Sequence, residues 1–125
     1  MATVKSFNHK SDPSWDEVNS YITELEKTPK DRGATLSVDD DNWALGHYCD
    51  GYGFLVTICT DQDKEYLTLR DPSLSADLVS LWCGGSELTR PRNSFVKRSL
   101  ATQALKYFFD EGRKDPSLVW RSEED

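Results

Sequence analysis

The sequence predicts an α+β domain: an antiparallel β-meander of about five strands, with an N-terminal and a C-terminal helix packed on one face. Three observations predict it. Apolar residues recur at helical spacing from Trp15 and again from Ala101. Between these stretches the period changes to two. Asp, Asn, Gly and Pro punctuate the middle of the chain where turns are needed.

Taken in order, residues 1–12 are polar and form a loose arm or a short edge strand. Ser14 can cap a helix, and Glu17 completes a capping box. Asp16 and Glu17 also suit the positive end of the helix. Trp15, Val18, Ile22 and Leu25 then make one apolar stripe. Pro29 ends the helix, because Thr28 before it is pushed out of the α region. Ala34 to Val38, Trp43 to Cys49, Phe54 to Cys59 and Glu65 to Arg70 read as a four-stranded meander. The Asp39-Asp40-Asp41-Asn42, Asp50-Gly51 and Asp61 to Lys64 stretches are its turns, and Asp-Gly is a strong hairpin signal. Tyr66, Thr68 and Arg70 share one face, and Leu67 and Leu69 the other. Residues 71–78 form a connection. Val79 to Cys83 is a further strand, closed by Gly84-Gly85, and Glu87 to Arg90 extends until Pro91. A second helix over 97–111 buries Ala101, Ala104, Leu105 and Phe108, and Gly112 is placed to end it in the left-handed conformation. The tail 121–125 is expected to be loose. With 125 residues and no long linker, one domain over 1–125 is expected.

Composition narrows the function. Fifteen Lys and Arg stand against 22 Asp and Glu, a formal charge of −7. So acidic a domain is poorly suited to nucleic-acid phosphates and better suited to a basic partner. No stretch approaches a membrane span, and no secretory signal is visible. Three cysteines without a Cys-x-x-Cys pair argue against a disulfide framework and a tetrathiolate zinc site. Cys59 and Cys83 look like small buried hydrophobes, which favours a reducing compartment.

Candidate chemistry is sparse. His47 and Cys49 are two apart on one strand face, about 7 Å. A Cys–His pair needs hydrogen-bond contact and a third group to orient the base, so a half-buried strand histidine is the simpler reading. His9 reads as a solvated side chain. Asp39-Asp40-Asp41 lacks the glycine and closing glutamate of a calcium loop, and no phosphate-cradling glycine loop occurs. No catalytic residue, metal site or cofactor is expected. A binding surface remains: Asp39, Asp40, Asp41, Asp61 and Asp63 at turns, with Trp43 and Tyr66 as aromatic anchors. Asp50 belongs to the opposite end of the meander. Periodicity does not decide which side of the strand bearing Trp43, Leu45 and His47 is buried.

The stretch from Val79-Ser80-Leu81-Trp82-Cys83 through Gly84-Gly85, Pro91 and the second helix to Gly112, Pro116, Leu118 and Trp120 resembles the immunity protein one family of bacterial polymorphic toxin systems. The resemblance covers roughly residues 34–120 and is most specific over 79–120. It implies a cytoplasmic immunity protein that binds a cognate toxin domain, often a deaminase acting on nucleic acid. It also implies structural roles for Gly84, Gly85, Gly112 and Trp120, as turn, helix stop and packing residue. The acidic charge fits occlusion of a basic active site, with an exosite mode as the alternative. The expected partner is therefore a basic toxin domain, met by a monomer or weak dimer, with no direct nucleic-acid or membrane contact. Two other classes stay open: an adaptor or chaperone for a secreted effector, and a small enzyme using His47 and Cys49.

Overall fold

The computed structural model describes residues 5–8, 10–27, 33–38, 42–60, 66–83 and 86–122, except for the side chain of Cys83. Helix α1 spans Trp15–Lys27. Its start is the expected reciprocal box: the Glu17 N–H donates to Ser14 Oγ (3.2 Å) and the Ser14 N–H to Glu17 Oε1 (3.4 Å). Two of the donors that a helix start leaves unpaired are thereby satisfied. Lys10 also bonds Glu17, and Lys10 and Ser14 together hold that carboxyl below its ordinary value. Val18, Ile22 and Leu25 are buried. The predicted stop at Thr28-Pro29 and the solvated His9 lie outside the described residues.

The meander is β3 (Ala34–Ser37), β4 (Trp43–Cys49), β5 (Gly53–Cys59) and β6 (Tyr66–Arg70), each antiparallel to the next. The Asp50-Gly51 hairpin closes on the Cys49–Gly53 pair, with Gly51 at φ 84°. After β6 the chain leaves the sheet. It forms a separate hairpin of β7 (Leu78–Cys83) and β8 (Ser86–Pro91), then a short 3-10 turn, Arg92–Ser94. Helix α2, Arg98–Glu111, buries Ala101, Ala104, Leu105 and Phe108 and ends at Gly112 with φ 71°. Arg98 reaches Glu26 at 3.2 Å, tying the start of α2 to the end of α1.

Both ends of the chain add strands. β1 (Ser6–Phe7) and β2 (Lys10–Ser11) join beside β3, and β9 (Val119–Ser122) pairs with β6 at the far edge. The sheet order is therefore β2-β1-β3-β4-β5-β6-β9. The sheet thus has seven strands where about five were expected, with residues 6–7 and 10–11 taking the short-edge-strand form and 121–122 belonging to β9. The added strands are two to four residues long. Such segments carry no legible period of their own and become strands by pairing with a neighbour.

Two cores result. On one face, α1 and α2 cover Leu36, Ala44, Phe54, Val56, Ile58, Leu67 and Leu69. On the other, Cys49, Leu55 and Phe95 lie beneath Val79, Leu81 and Leu88 of the hairpin. One backbone contact sets the corner: Phe54 and Val96 exchange N–H···O bonds of 2.8 and 2.9 Å. Gly53 lies so close that a Cβ there would meet Val96 O at 2.6 Å.

Candidate functional site

Burial in β4 fixes which side faces out. Ala44 and Tyr48 pack in the helix-side core, and a Cβ on Gly46 would touch Leu105. Trp43, Leu45 and His47 alternate with them, so they lie on the face away from the helices, and each is partly buried. The ladder pairs Ser37 with Trp43, Trp43 with Cys59, and Cys59 with Tyr66. These four residues form one row across the sheet. Trp43 and Tyr66 reach over Cys59, with ring centroids 5.7 Å apart and planes tilted by 49°. Tyr66 is 53% exposed.

That row lies where β3 hands over to β4 and β5 to β6. The connections containing Asp39, Asp40 and Asp41 and containing Asp61 and Asp63 therefore both depart from the Trp43–Tyr66 end. Those five aspartates themselves lie outside the described residues, as do Gly84 and Gly85. Asp50 sits at the opposite end, in the turn between β4 and β5.

His47 shares the outward face, and a Cβ on Gly33 would come within 2.9 Å of its Cε1. Burial pushes the imidazole below its ordinary pKa and favours the neutral ring. Cys49 is disulfide-bonded, whereas Cys59 is free. This corrects the expectation that an odd cysteine count argues against a disulfide: parity leaves room for one bridge and one free thiol. It also takes Cys49 out of the candidate Cys–His pair, since the nucleophile would have to be a thiolate. Among the described residues, no group of three His, Cys, Asp or Glu is placed to hold a metal ion. None of the described helices is long and apolar enough to cross a membrane.

Gly112 ends α2, and Trp120 packs against the helix-side core while its indole N–H donates to Asp115 O at 3.0 Å. Burial raises the Asp115 pKa, but bonds from Ser117 Oγ (2.7 Å), the Ser117 N–H (2.9 Å) and Gln103 outweigh it. The net effect leaves the carboxyl below its usual range. Sequence reasoning missed this turn and its twin at Asp71, where Ser73 makes the same two bonds at 2.9 and 2.7 Å. The signal was present: Asp-Pro-Ser-Leu occurs at 71–74 and again at 115–118. Also missed was the outward side of the β7–β8 hairpin, where Leu78 is 69% and Trp82 71% exposed.

The fold and these surfaces define a small α+β protein whose sheet carries both helices on one face and the β7–β8 hairpin on the other, with Tyr66 exposed at one end of the hairpin's face. Its family follows from comparison: the chain belongs to the Immunity protein Imm1 family, whose model matches residues 12–122. That span includes both helices, the meander and the returning strand β9. No curated protein matches the chain.

Proposed function

We propose that this protein is a cytoplasmic immunity protein that binds a basic, nucleic-acid-targeting toxin domain of the deaminase kind and covers its active site. Family membership supports an immunity role with a toxin as partner. The observation that carries the surface is the Trp43–Tyr66 pair, set where both aspartate-bearing connections leave the sheet. Aromatic anchors supply affinity through burial, and surrounding charge supplies attraction and selectivity. Asp39, Asp40, Asp41, Asp61 and Asp63 would meet the cationic rim of a cleft built for phosphates. In this reading the chain acts as a single domain, monomeric or weakly dimeric, with no catalysis and no cofactor of its own. The Cys49 disulfide removes the cysteine argument for a reducing compartment. Cytoplasmic placement therefore rests on where such a toxin would act.

The test begins with the C-terminal domain of the protein encoded immediately upstream, expressed with and without this chain. Growth arrest relieved by co-expression is the expected result. Asp39/Asp40/Asp41→Lys and Trp43→Ala should each lose protection while remaining folded. Arrest that this chain does not relieve would move the assignment to an adaptor. Protection by the charge-reversed variant at unchanged affinity and salt dependence would remove the proposed surface.

A further inference from the structure

Val79, Leu81 and Leu88 of the hairpin turn inward onto the second core. The residues between them therefore face out, and the register sets them in three cross-strand pairs: Trp82 with Glu87, Ser80 with Thr89, and Leu78 with Pro91. Along the hairpin this face presents a ring and a carboxylate, then two hydroxyls, then an apolar pair. Ser80 Oγ and Thr89 Oγ1 share a hydrogen bond of 3.0 Å. Trp82 is 71% exposed, and Glu87 is exposed opposite it. Directly opposed residues hold their Cβ atoms about 5 Å apart, so the indole and the carboxylate border one spot.

Trp82 stands apart from the other three tryptophans. Trp15 meets Phe109 edge-on at 5.7 Å, Trp43 reaches Tyr66, and Trp120 donates to Asp115 O. Among the described residues, Trp82 has no ring, cation or hydrogen-bond partner, and Glu87 has no ion pair. The molecule itself shows what such a pair accepts. Lys106 Nζ bonds Asp110 at 2.7 Å and lies 5.5 Å from the Trp15 ring centre. Arg92 lies over Tyr52, 5.6 Å from its ring centre. At Trp15 a ring, a carboxylate and a cation come together. At Trp82 the ring and the carboxylate are present and exposed, and no described residue supplies the cation.

We propose that the outward side of this hairpin docks an arginine-bearing segment of a basic protein partner, the guanidinium lying on Trp82 and pairing with Glu87, and an apolar side chain four residues on resting against Leu78. The net charge of −7 draws a cationic partner. A guanidinium is planar, stacks on an aromatic face and matches a carboxylate with its fork. Leu78 and Trp82 lie four residues apart, about 13 Å, and residues i and i+4 of an extended segment span the same length on one side. The residue between them, at i+2, meets the Ser80 and Thr89 hydroxyls, so a polar side chain suits it. The surface is separate from the Trp43–Tyr66 pair and does not presuppose a toxin.

The probe is acetyl-Arg-Ser-Thr-Ser-Leu-amide, titrated at millimolar concentration into the ¹⁵N-labelled full chain, with two analogues. Citrulline in place of Arg keeps the planar shape and removes the charge, whereas Lys keeps the charge and removes the plane. Shifts are expected at the Trp82 indole and at Leu78, Ser80, Glu87 and Thr89. The citrulline peptide should bind about fivefold more weakly, the upper range for an exposed charge pair, with the Lys peptide in between. Glu87→Gln and Trp82→Leu each alter an exposed side chain and should keep the melting temperature. Glu87→Gln should erase the difference between Arg and citrulline, and Trp82→Leu the difference between Arg and Lys. Equal binding of the Arg and citrulline peptides to the wild type, shifts gathered at Trp43 and Tyr66, or no shifts at all would overturn the proposal. Growth protection is read in a separate assay, so failure here and failure of the immunity reading are distinguishable.

Discussion

At the scale of single residues, two side-chain decisions carry testable weight. Gly53 has φ 131°, and a Cβ there would sit 2.6 Å from Val96 O and 3.3 Å from Val96 N. The obstacle is backbone, which also forms the Phe54–Val96 bridge and so cannot turn aside. Gly53→Ala should therefore cost about 2–4 kcal/mol, the sum of backbone strain and overpacking. Urea denaturation with an unchanged slope would measure it, and a loss below 1 kcal/mol, within the usual range of harmless surface changes, would show that the corner gives way. His47 predicts a pH dependence. Its folded pKa is lowered from 6.5 by burial. Above that value the ring is neutral in both states and makes no pH-dependent contribution. As pH falls below it, the unfolded chain binds a proton that the folded protein resists, so stability declines until the folded ring titrates too. Melting temperatures from pH 7.5 to 5 should fall more steeply for the wild type than for His47→Gln. Parallel slopes would contradict the burial argument.

At the scale of elements, helix ends are where local chemistry decided the structure. The Ser14–Glu17 box and the left-handed Gly112 were both visible as residue patterns, because a cap satisfies backbone groups a few positions away. Ser14→Ala should cost about 1 kcal/mol through the lost cap. Gly112→Ala should cost a similar ~1 kcal/mol through the positive φ, and its new Cβ would press on Val38 Cγ2 at 3.3 Å. Guanidinium unfolding of both variants checks this, with no loss in either counting against capping as the source. The four central strands and the buried stripes of both helices were legible for the same reason: each spans enough residues to show a period. β9 was not, and β1 and β2 only as one of two readings of residues 1–12, since each is defined by the strand beside it. The candidate site divides likewise. That Trp43 and Tyr66 are aromatic was plain, but that they stack depends on the Trp43–Cys59–Tyr66 register. The face exposed by β4 depends on where two distant helices settle. Trp82 gave no local sign of exposure, because one strand of a hairpin reads alike on either face.

At the scale of the whole molecule, charge and anchors should separate kinetically. The net charge of −7 acts through a field that reaches beyond contact distance and is screened by salt over about 10 Å at 0.1 M. The Trp43–Tyr66 pair acts only after docking, when its exposed area is removed from water. For binding to the toxin domain, Asp39/Asp40/Asp41→Lys should lower the association rate about tenfold or more at low salt and flatten its salt dependence, with little effect on dissociation. Trp43→Ala should leave association nearly unchanged and speed dissociation about 30-fold, as expected for a hot-spot aromatic worth about 2 kcal/mol. The double change should give the product of the two effects if steering and anchoring are independent. Surface-based kinetics across a salt series reads both rates directly. An aromatic variant that slows association, or a charge variant that acts only on dissociation, would mean that steering and anchoring are not divided between the aspartates and the aromatic pair.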